Sequence, residues 1–386
     1  MVTKLPPDAG NAEGRLCFLV RGLDGGGAQR DAILLANELQ ASGVETAIVT
    51  LQASGPLRTL IRKDVPILDL GNGAKKRLAA AGPSLRRLLI DCAPQGIVSA
   101  EAAANVLLAL TSRLVPVATR PWIILREAAS PVQARSNDPY WQNRLAYRLA
   151  PKLYPMADLV MTLTDGARTD LIERFAVPAH KIVNLGTNAV ITADIRAQIG
   201  GALRDPEPNH IFSVGRLSPE KDFATLIDAF ALLRRHRPAR LTIIGEGTER
   251  ARLQASIAEL GMAGDISLPG HHPHPIEALS KAALFVSASS HEGLGNAIIE
   301  AMACGIPVVC TDAPHGPREI LQGGRLGPLV PVGDANALSR AMADSLDRPA
   351  DMPALKNRAM EFSVERAAQA FEKVLLDKGM RIRSNH

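Results

Sequence analysis

The chain has 386 residues, 46% of them hydrophobic and 22% charged, with a net charge of +5 at pH 7. That length suits two or three domains with sizeable cores, and the composition excludes a disordered or low-complexity protein. The basic balance admits an acidic partner, but aromatic residues make up only 3%, too few for a base-stacking platform, and no zinc-finger or RNP-like motif occurs, so nucleic acid is set aside.

The first fourteen residues are polar and carry two prolines, and the apolar run behind them is broken by Arg21. No secretory signal is therefore expected, and a cytoplasmic location follows. Strands are predicted over 16–20, 46–51, 67–70, 96–99, 122–125 and 159–163, alternating with helical periods, which is the pattern of an α/β doubly wound parallel sheet. Gly25, Gly26 and Gly27 stand between the first strand and a helix predicted over 28–40. They suit close backbone approach to a phosphate, with tight helix-on-strand packing as the competing explanation. The spacing Gly-x-Gly-x-x-Gly is absent and the second strand ends at Thr50-Leu51-Gln52 without an acidic residue, which argues against NAD.

A basic run at Lys75, Lys76, Arg77, Arg86 and Arg87, interleaved with Leu78, Leu85, Leu88 and Leu89, reads as the solvated face of a packed helix or as a contact with an anionic membrane surface. The long apolar stretch from Val106 to Leu125 is interrupted by Arg113, Pro116, Arg120 and Pro121, so no spanning helix is expected. Glu101, Asn105 and Glu127 stand at predicted strand ends as candidate catalytic residues of the first half, with Glu127, beside Arg126, the preferred base. The four cysteines, Cys17, Cys92, Cys304 and Cys310, have no Cys-x-x-Cys spacing and read as reduced, buried small residues.

The polar, proline-bearing stretch from Gly200 to Pro208 is the linker expected between the two halves. Beyond it, strands are predicted over 211–214, 241–244, 266–268, 284–287 and 307–310, so the doubly wound pattern occurs twice. After the first of these strands, Ser218 is placed to cap a helix, Pro219 to occupy its first position and Lys221 its first turn. A lysine there opposes the helix dipole unless an anion sits between them, so Arg216 and Lys221 point to a bound diphosphate. No Asp-x-Asp pair occurs as a handle for a divalent cation, and no metal is expected. His271, His272 and His274 are separated by Pro273 and followed by Pro275, which makes a surface loop the expectation over a zinc site.

Glu292 and Glu300 bracket Gly293-Leu294-Gly295-Asn296-Ala297-Ile298-Ile299. In one continuous helix they would lie about 80° apart, but Gly293 and Gly295 argue for a loop, with Asn296 as N-cap and a helix from Ala297 to a stop at Gly305. Free backbone N–H groups near 294–297 and two carboxylates then share one cavity, suited to an anion and to sugar hydroxyls.

The run Glu292-x7-Glu300 followed by Ala301-Met302-Ala303-Cys304-Gly305-Ile306-Pro307-Val308-Val309 resembles the signature of the retaining glycosyltransferases of family 4, which have the GT-B fold. Gly215-Arg216-Leu217-Ser218-Pro219-Glu220-Lys221-Asp222-Phe223 resembles a second signature, with Asp222 in place of the commoner glycine. Gly245-Glu246-Gly247, Gly316-Pro317-Arg318-Glu319-Ile320-Leu321 and Val330-Pro331-Val332-Gly333-Asp334 continue the match in order. In the first half the resemblance rests on Gly25-Gly26-Gly27, Tyr154-Pro155-Met156-Ala157-Asp158 and Asn188-Ala189-Val190, and the first histidine of the chain is His180, where many members place one earlier.

The resemblance implies two Rossmann-like domains facing a cleft. These are 1–200 on the acceptor side, joined by a crossing-back helix in 364–386, and 201–363 on the donor side. It implies that Glu300 binds the nucleotide ribose, that Glu292 with the backbone of Leu294, Gly295 and Asn296 holds the sugar hydroxyls, and that Gly26, Gly27 and Gly245 lie against the donor. Arg216 and Lys221 would hold the leaving diphosphate in place of a metal. The donor is a nucleotide diphosphate sugar, with UDP among the bases to consider. The acceptor is a glycan or a polyprenyl-diphosphate-linked sugar met at the inner face of a membrane. A GT-B nucleotide-sugar epimerase and a non-catalytic sugar-nucleotide-binding homologue are the alternatives.

Overall fold

The computed structural model describes residues 13–71, 78–137, 141–201, 205–272 and 275–380. Lys75, Lys76, Arg77, His274 and part of the expected linker lie outside them. The chain divides into two compact units, Met1–Ala189 with Val364–His386, and Val190–Ser363.

Among the described residues of the first unit, seven parallel strands stand in the order β3-β2-β1-β4-β5-β6-β7. They are β1 Leu16–Val20, β2 Thr46–Thr50, β3 Ile67–Asp69, β4 Gly96–Ser99, β5 Trp122–Glu127, β6 Leu159–Thr162 and β7 Ile182–Asn184. The helices α1 Gly27–Ala41, α2 Gly82–Asp91, α3 Ala102–Ser112, α4 Pro131–Asn137, α5 Trp141–Leu153 and α6 Asp165–Phe175 connect them. Because both faces are covered, the strands are apolar almost throughout, and alternate residues feed two cores. Cys17 and Leu19 pack with Leu88, Leu108 and Tyr147 on one face. Leu16, Phe18 and Val20 pack with Leu35, Leu39 and Phe371 on the other.

Among its described residues, the second unit holds six parallel strands in the order β10-β9-β8-β11-β12-β13: β8 His210–Val214, β9 Arg240–Ile244, β10 Ile266–Gly270, β11 Leu284–Ser287, β12 Val308–Thr311 and β13 Leu329–Val330. Its helices are α7 Ala193–Gly201, α8 Phe223–Arg234, α9 Arg250–Glu259, α10 Pro275–Leu279, α11 Asn296–Ala303, α12 Gly316–Ile320, α13 Ala335–Asp347 and α14 Met352–Met360. The last helix, α15 Val364–Asp377, returns to the first unit and packs on α1. It buries Val364, Ala367, Ala368, Phe371 and Leu375, the i, i+3, i+4, i+7, i+11 spacing of one helix face. Phe371 meets Phe18 with ring centroids 6.0 Å apart, and burying such a side chain stabilises by about 1.5–3 kcal/mol.

Several elements differ from the sequence expectation. The strands β7 and β13, of three and two residues, are too short to show a period. β5 runs on through Arg126 and Glu127, because these charges are buried and partnered. The first unit ends at Ala189, ahead of the boundary expected at 200: Ala189 N donates to Asp31 Oδ1 at 2.7 Å, whereas Val190 N and Ile191 N both donate to Phe362 O at 3.1 and 3.0 Å. The stretch from 190 to 201 therefore belongs with the second sheet, where α7 packs on α10. All four cysteines are buried, and burial pushes the Cys17 thiol up to about 12. No helix among the described residues is long and apolar enough to cross a membrane.

Candidate functional site

In each sheet the strand order reverses once, between β1 and β4 in the first and between β8 and β11 in the second. Loops leaving the carboxyl ends of strands part at such a point and open a crevice. In the second unit the loop after β8 crosses the loop after β9 closely. A Cβ on Gly245 would stand 1.8 Å from Gly215 O, and one on Gly247 2.1 Å from Leu217 O. Gly245, expected against the donor, thus has a packing reason of its own to be glycine.

Ser218 leads into a short 3-10 turn, Pro219–Lys221, and Asp222 follows in the left-handed conformation with φ 44°. Asp222 then caps α8, accepting from Thr225 N at 3.3 Å and from Thr225 Oγ1 at 2.7 Å. Lys221 therefore precedes the long helix rather than sitting in its first turn. Glycine enters this left-handed backbone without cost, and aspartate tolerates it while supplying the cap.

After β11 the chain turns through Ser289 and Ser290 to Glu292. This loop is held on both sides: Ser290 N donates to Glu220 O at 2.8 Å, Glu292 N to Pro314 O at 2.8 Å, and His315 N to Glu292 O at 2.9 Å. The Glu292 carboxylate pairs with the Lys221 ammonium and accepts from Ser289 Oγ at 2.7 Å. Both charged side chains keep an open edge, 23% exposed for Lys221 and 13% for Glu292. Burial first, and then the charge of Glu292, pushes the Cys310 thiol well up.

α11 begins at Asn296, with Gly295 as N-cap at φ 111°. Asn296, expected as the cap, is the first helical residue instead, since glycine enters the left-handed region without cost and makes the turn itself. Leu294 is buried against the start of α12: a Cβ on Gly316 would stand 1.8 Å from Leu294 O. Glu300 lies farther along α11 and is 8% exposed.

Ser213, Val214, Lys221, Ser289, Glu292 and Gly295 line a cavity of about 20 Å³, room for roughly one water. Arg216 is exposed on the loop above. Three hydroxyls that the sequence reading passed over hold the strand ends in place. Ser213 Oγ donates to Val286 O at 2.7 Å, Thr311 Oγ1 to Ser289 O at 2.6 Å, and Ser289 reaches Glu292 as above. Their signal was available: a hydroxyl stands within two residues of the end of three neighbouring strands.

In the first unit, a Cβ on Gly25 would meet nothing within 4 Å, and one on Gly26 only the tip of Gln29 at 3.5 Å. Tight packing therefore does not explain these two glycines. Gly26 is the N-cap of α1, with no side-chain cap, and Gly27 is its first residue. Glu101 ties the neighbouring loops, accepting from Arg21 N at 2.9 Å and from Gln29 Nε2 at 3.1 Å.

Glu127, expected as the acceptor-side base, is only 2% exposed. Its oxygens accept from Tyr147 OH at 2.7 Å, Tyr154 OH at 2.9 Å and Ala129 N at 3.1 Å. Burial first, and then the charge of Glu127, pushes the Tyr154 hydroxyl well up. The carboxylate is a core acceptor, and Asn105 belongs to the same network, donating to Tyr154 OH and to Arg126 O at 3.1 Å each. We expect Glu127→Gln to lower the melting temperature by several degrees, because a buried acceptor is exchanged for a donor, with kcat within about tenfold of wild type. Steady-state kinetics beside a thermal melt checks this, and a loss of kcat without a loss of stability would restore Glu127 as a catalyst.

Of the expected basic run, Arg86 Nε donates to Leu114 O at 2.8 Å and Arg87 pairs with Asp91 at 3.2 Å. Among the described residues no group of three or more metal-ligating side chains occurs.

Residues 194–362 match the family described as glycosyl transferases group 1, and residues 26–186 match the glycosyl transferase 4-like domain. Over 271 residues the chain is 33% identical to the N-acetylgalactosamine-N,N'-diacetylbacillosaminyl-diphospho-undecaprenol 4-alpha-N-acetylgalactosaminyltransferase of Campylobacter jejuni, covering 69% of this chain and 70% of that protein. It is 33% identical over 198 residues to the lipopolysaccharide core biosynthesis glycosyltransferase LpsE of Rhizobium meliloti, covering 50% of this chain and 56% of the relative. Among solved structures, Anabaena HepE in complex with UDP and glucose superposes with a TM-score of 0.73 at 20% identity, covering 94% of this chain and all of that one.

Proposed function

The chain belongs to the glycosyltransferases of group 1, with the family 4 signature and the GT-B fold, and from that premise we propose how its own residues serve the transfer. A sugar leaves a nucleoside diphosphate donor with retention and joins a glycan or polyprenyl-diphosphate-linked acceptor. The carrying observation is the Lys221–Glu292 pair at the switch point of the second sheet, beside the N-terminus of α11.

As the bond from the anomeric carbon to the diphosphate breaks, its electron pair goes to the phosphate oxygen; the acceptor hydroxyl oxygen bonds to the anomeric carbon, and its proton leaves with the departing diphosphate. Lys221, with Arg216 on the same loop, takes up that negative charge, so no divalent cation is required. For this Lys221 exchanges its contact with Glu292 for phosphate oxygens. Glu292 is thereby released to accept hydrogen bonds from sugar hydroxyls, beside the backbone of Leu294, Gly295 and Asn296. Glu300 takes the ribose.

UDP is our choice of nucleotide, supported by HepE, solved with UDP and glucose. The competitor is GDP, named in the GDP-mannose-dependent alpha-mannosyltransferase of Mycobacterium tuberculosis, which is 36% identical over 121 residues. The lipid-linked acceptor is supported by the diphospho-undecaprenol in the name of the Campylobacter relative.

A thermal-shift titration tests the donor. UDP and UDP-sugars should raise the melting point of wild type, with about 2.7 kcal/mol of stabilisation at a hundred times Kd, and should leave an Arg216→Ala/Lys221→Ala variant unmoved. Stabilisation by GDP alone would replace the base, and none by any nucleotide would point to a non-catalytic relative. Product analysis with and without acceptor separates transfer from epimerisation.

A further inference from the structure

Helix α5 buries Ala146, Tyr147, Ala150 and Leu153. At about 100° per residue, Arg144, Arg148 and Lys152 point away from that buried side, and Trp141, Leu145 and Leu149 form a row along their flank. The apolar row is open: Trp141 is 62% exposed, Leu145 45% and Leu149 38%. From Trp141 to Ala157 there is no Asp or Glu. The outer face of a helix in a doubly wound unit is normally polar, so a row of large apolar side chains there marks a face that something covers.

The flanking charge says what. A second copy of the chain, meeting this face with the same face, would set two rows of cations against each other with no acid between them. An anionic lipid surface fits both rows: aliphatic and indole side chains enter the boundary between headgroups and acyl chains, and the cations meet lipid phosphates. The same chemistry continues at the end of α3, which packs on α5, where Leu110 and Leu114 are 48% and 63% exposed around Arg113.

We propose that α5 is the surface by which this protein sits on an anionic bilayer, with Trp141, Leu145 and Leu149 inserted and Arg144, Arg148 and Lys152 on the headgroups. This surface lies on a different element from the basic run at Lys75–Arg87. It suits a lipid-linked acceptor and does not depend on the donor reading.

The test is co-sedimentation of the full chain with vesicles of phosphatidylcholine alone and of an equimolar mixture with phosphatidylglycerol. Wild type should bind the mixed vesicles, less so as salt rises, and leave the neutral ones. Arg144→Gln/Arg148→Gln/Lys152→Gln should bind about a hundredfold more weakly. Trp141→Ala/Leu145→Ala/Leu149→Ala should lose binding as well, while Arg86→Gln/Arg87→Gln keeps it. The chain has two tryptophans, so in a Trp122→Phe background the emission of Trp141 should shift to the blue on mixed vesicles. All α5 variants should keep their nucleotide-dependent stabilisation, because none of these side chains lines the Lys221–Glu292 site. Wild type that ignores mixed vesicles, or α5 variants that bind like wild type, would overturn the proposal. So would self-association in sedimentation velocity that the Trp141/Leu145/Leu149 variant abolishes. Failure of nucleotide stabilisation with vesicle binding intact would sink the donor reading alone.

Discussion

Lys221→Ala is expected to lower kcat by about a hundred- to a thousandfold, the effect of removing one preorganised donor from the charge that develops in a transition state. The melting temperature should barely move. The Lys221–Glu292 pair is partly exposed, at 23% and 13%, and such pairs contribute about 0–1 kcal/mol to folding. Lys221→Arg should recover part of the rate, since a guanidinium also binds phosphate but from a different reach. Glu292→Gln keeps the shape and can still accept from Ser289, so its loss should be smaller and should appear in the KM for donor as well as in kcat. Because the two side chains touch, the double variant should cost less than the two single effects together. Steady-state kinetics on the purified variants measures all of this, and a Lys221→Ala protein with wild-type kcat would remove the lysine from the mechanism.

The largest loss of stability is expected from Asp31→Ala. Asp31 and Arg126 form an ion pair in which each residue is 1% exposed. Arg126 also donates to Asn188 Oδ1 at 2.6 Å, and Asp31 accepts from Ala189 N at 2.7 Å. Burial pulls the Arg126 guanidinium down to about 10, still far above neutrality, so without Asp31 a charge stays buried. The cost should be about 3–5 kcal/mol, or roughly 10 °C in the melting temperature of a unit of this size. Asp31→Leu/Arg126→Met should recover most of it, because apolar side chains of similar volume remove both charges at once. A thermal melt decides, and an Asp31→Ala protein within a degree of wild type would show that solvent reaches the arginine.

The same pair shows where reading the chain stopped short. Trp122 to Leu125 reads as a strand and Arg126-Glu127 reads as its polar edge, because a charge is ordinarily exposed. The partners that allow both side chains into the core are Asp31, Asn188, Tyr147 and Tyr154, up to 95 residues away in sequence, and no local pattern names them. For the same reason Glu127 reads as an acceptor-side base, and the boundary between the units, set by which strand or loop Ala189 and Val190 bond to, reads as the proline-bearing stretch beyond it.

Lys221 and Glu292 could be picked out beforehand because each sits in a local signature whose glycines and caps are short-range features. That they touch is a long-range fact: their loops leave β8 and β11, neighbours only through the strand order of the sheet. The sequence by itself determined the doubly wound class, the family and the two loops that bear the charge, since periodicity, turn residues and motif spacing act within a few residues. Tertiary structure alone decided that Lys221 pairs with Glu292, that Glu127 lies in a core and that the row of Trp141, Leu145 and Leu149 is left uncovered, because burial depends on what the rest of the chain packs against each side chain.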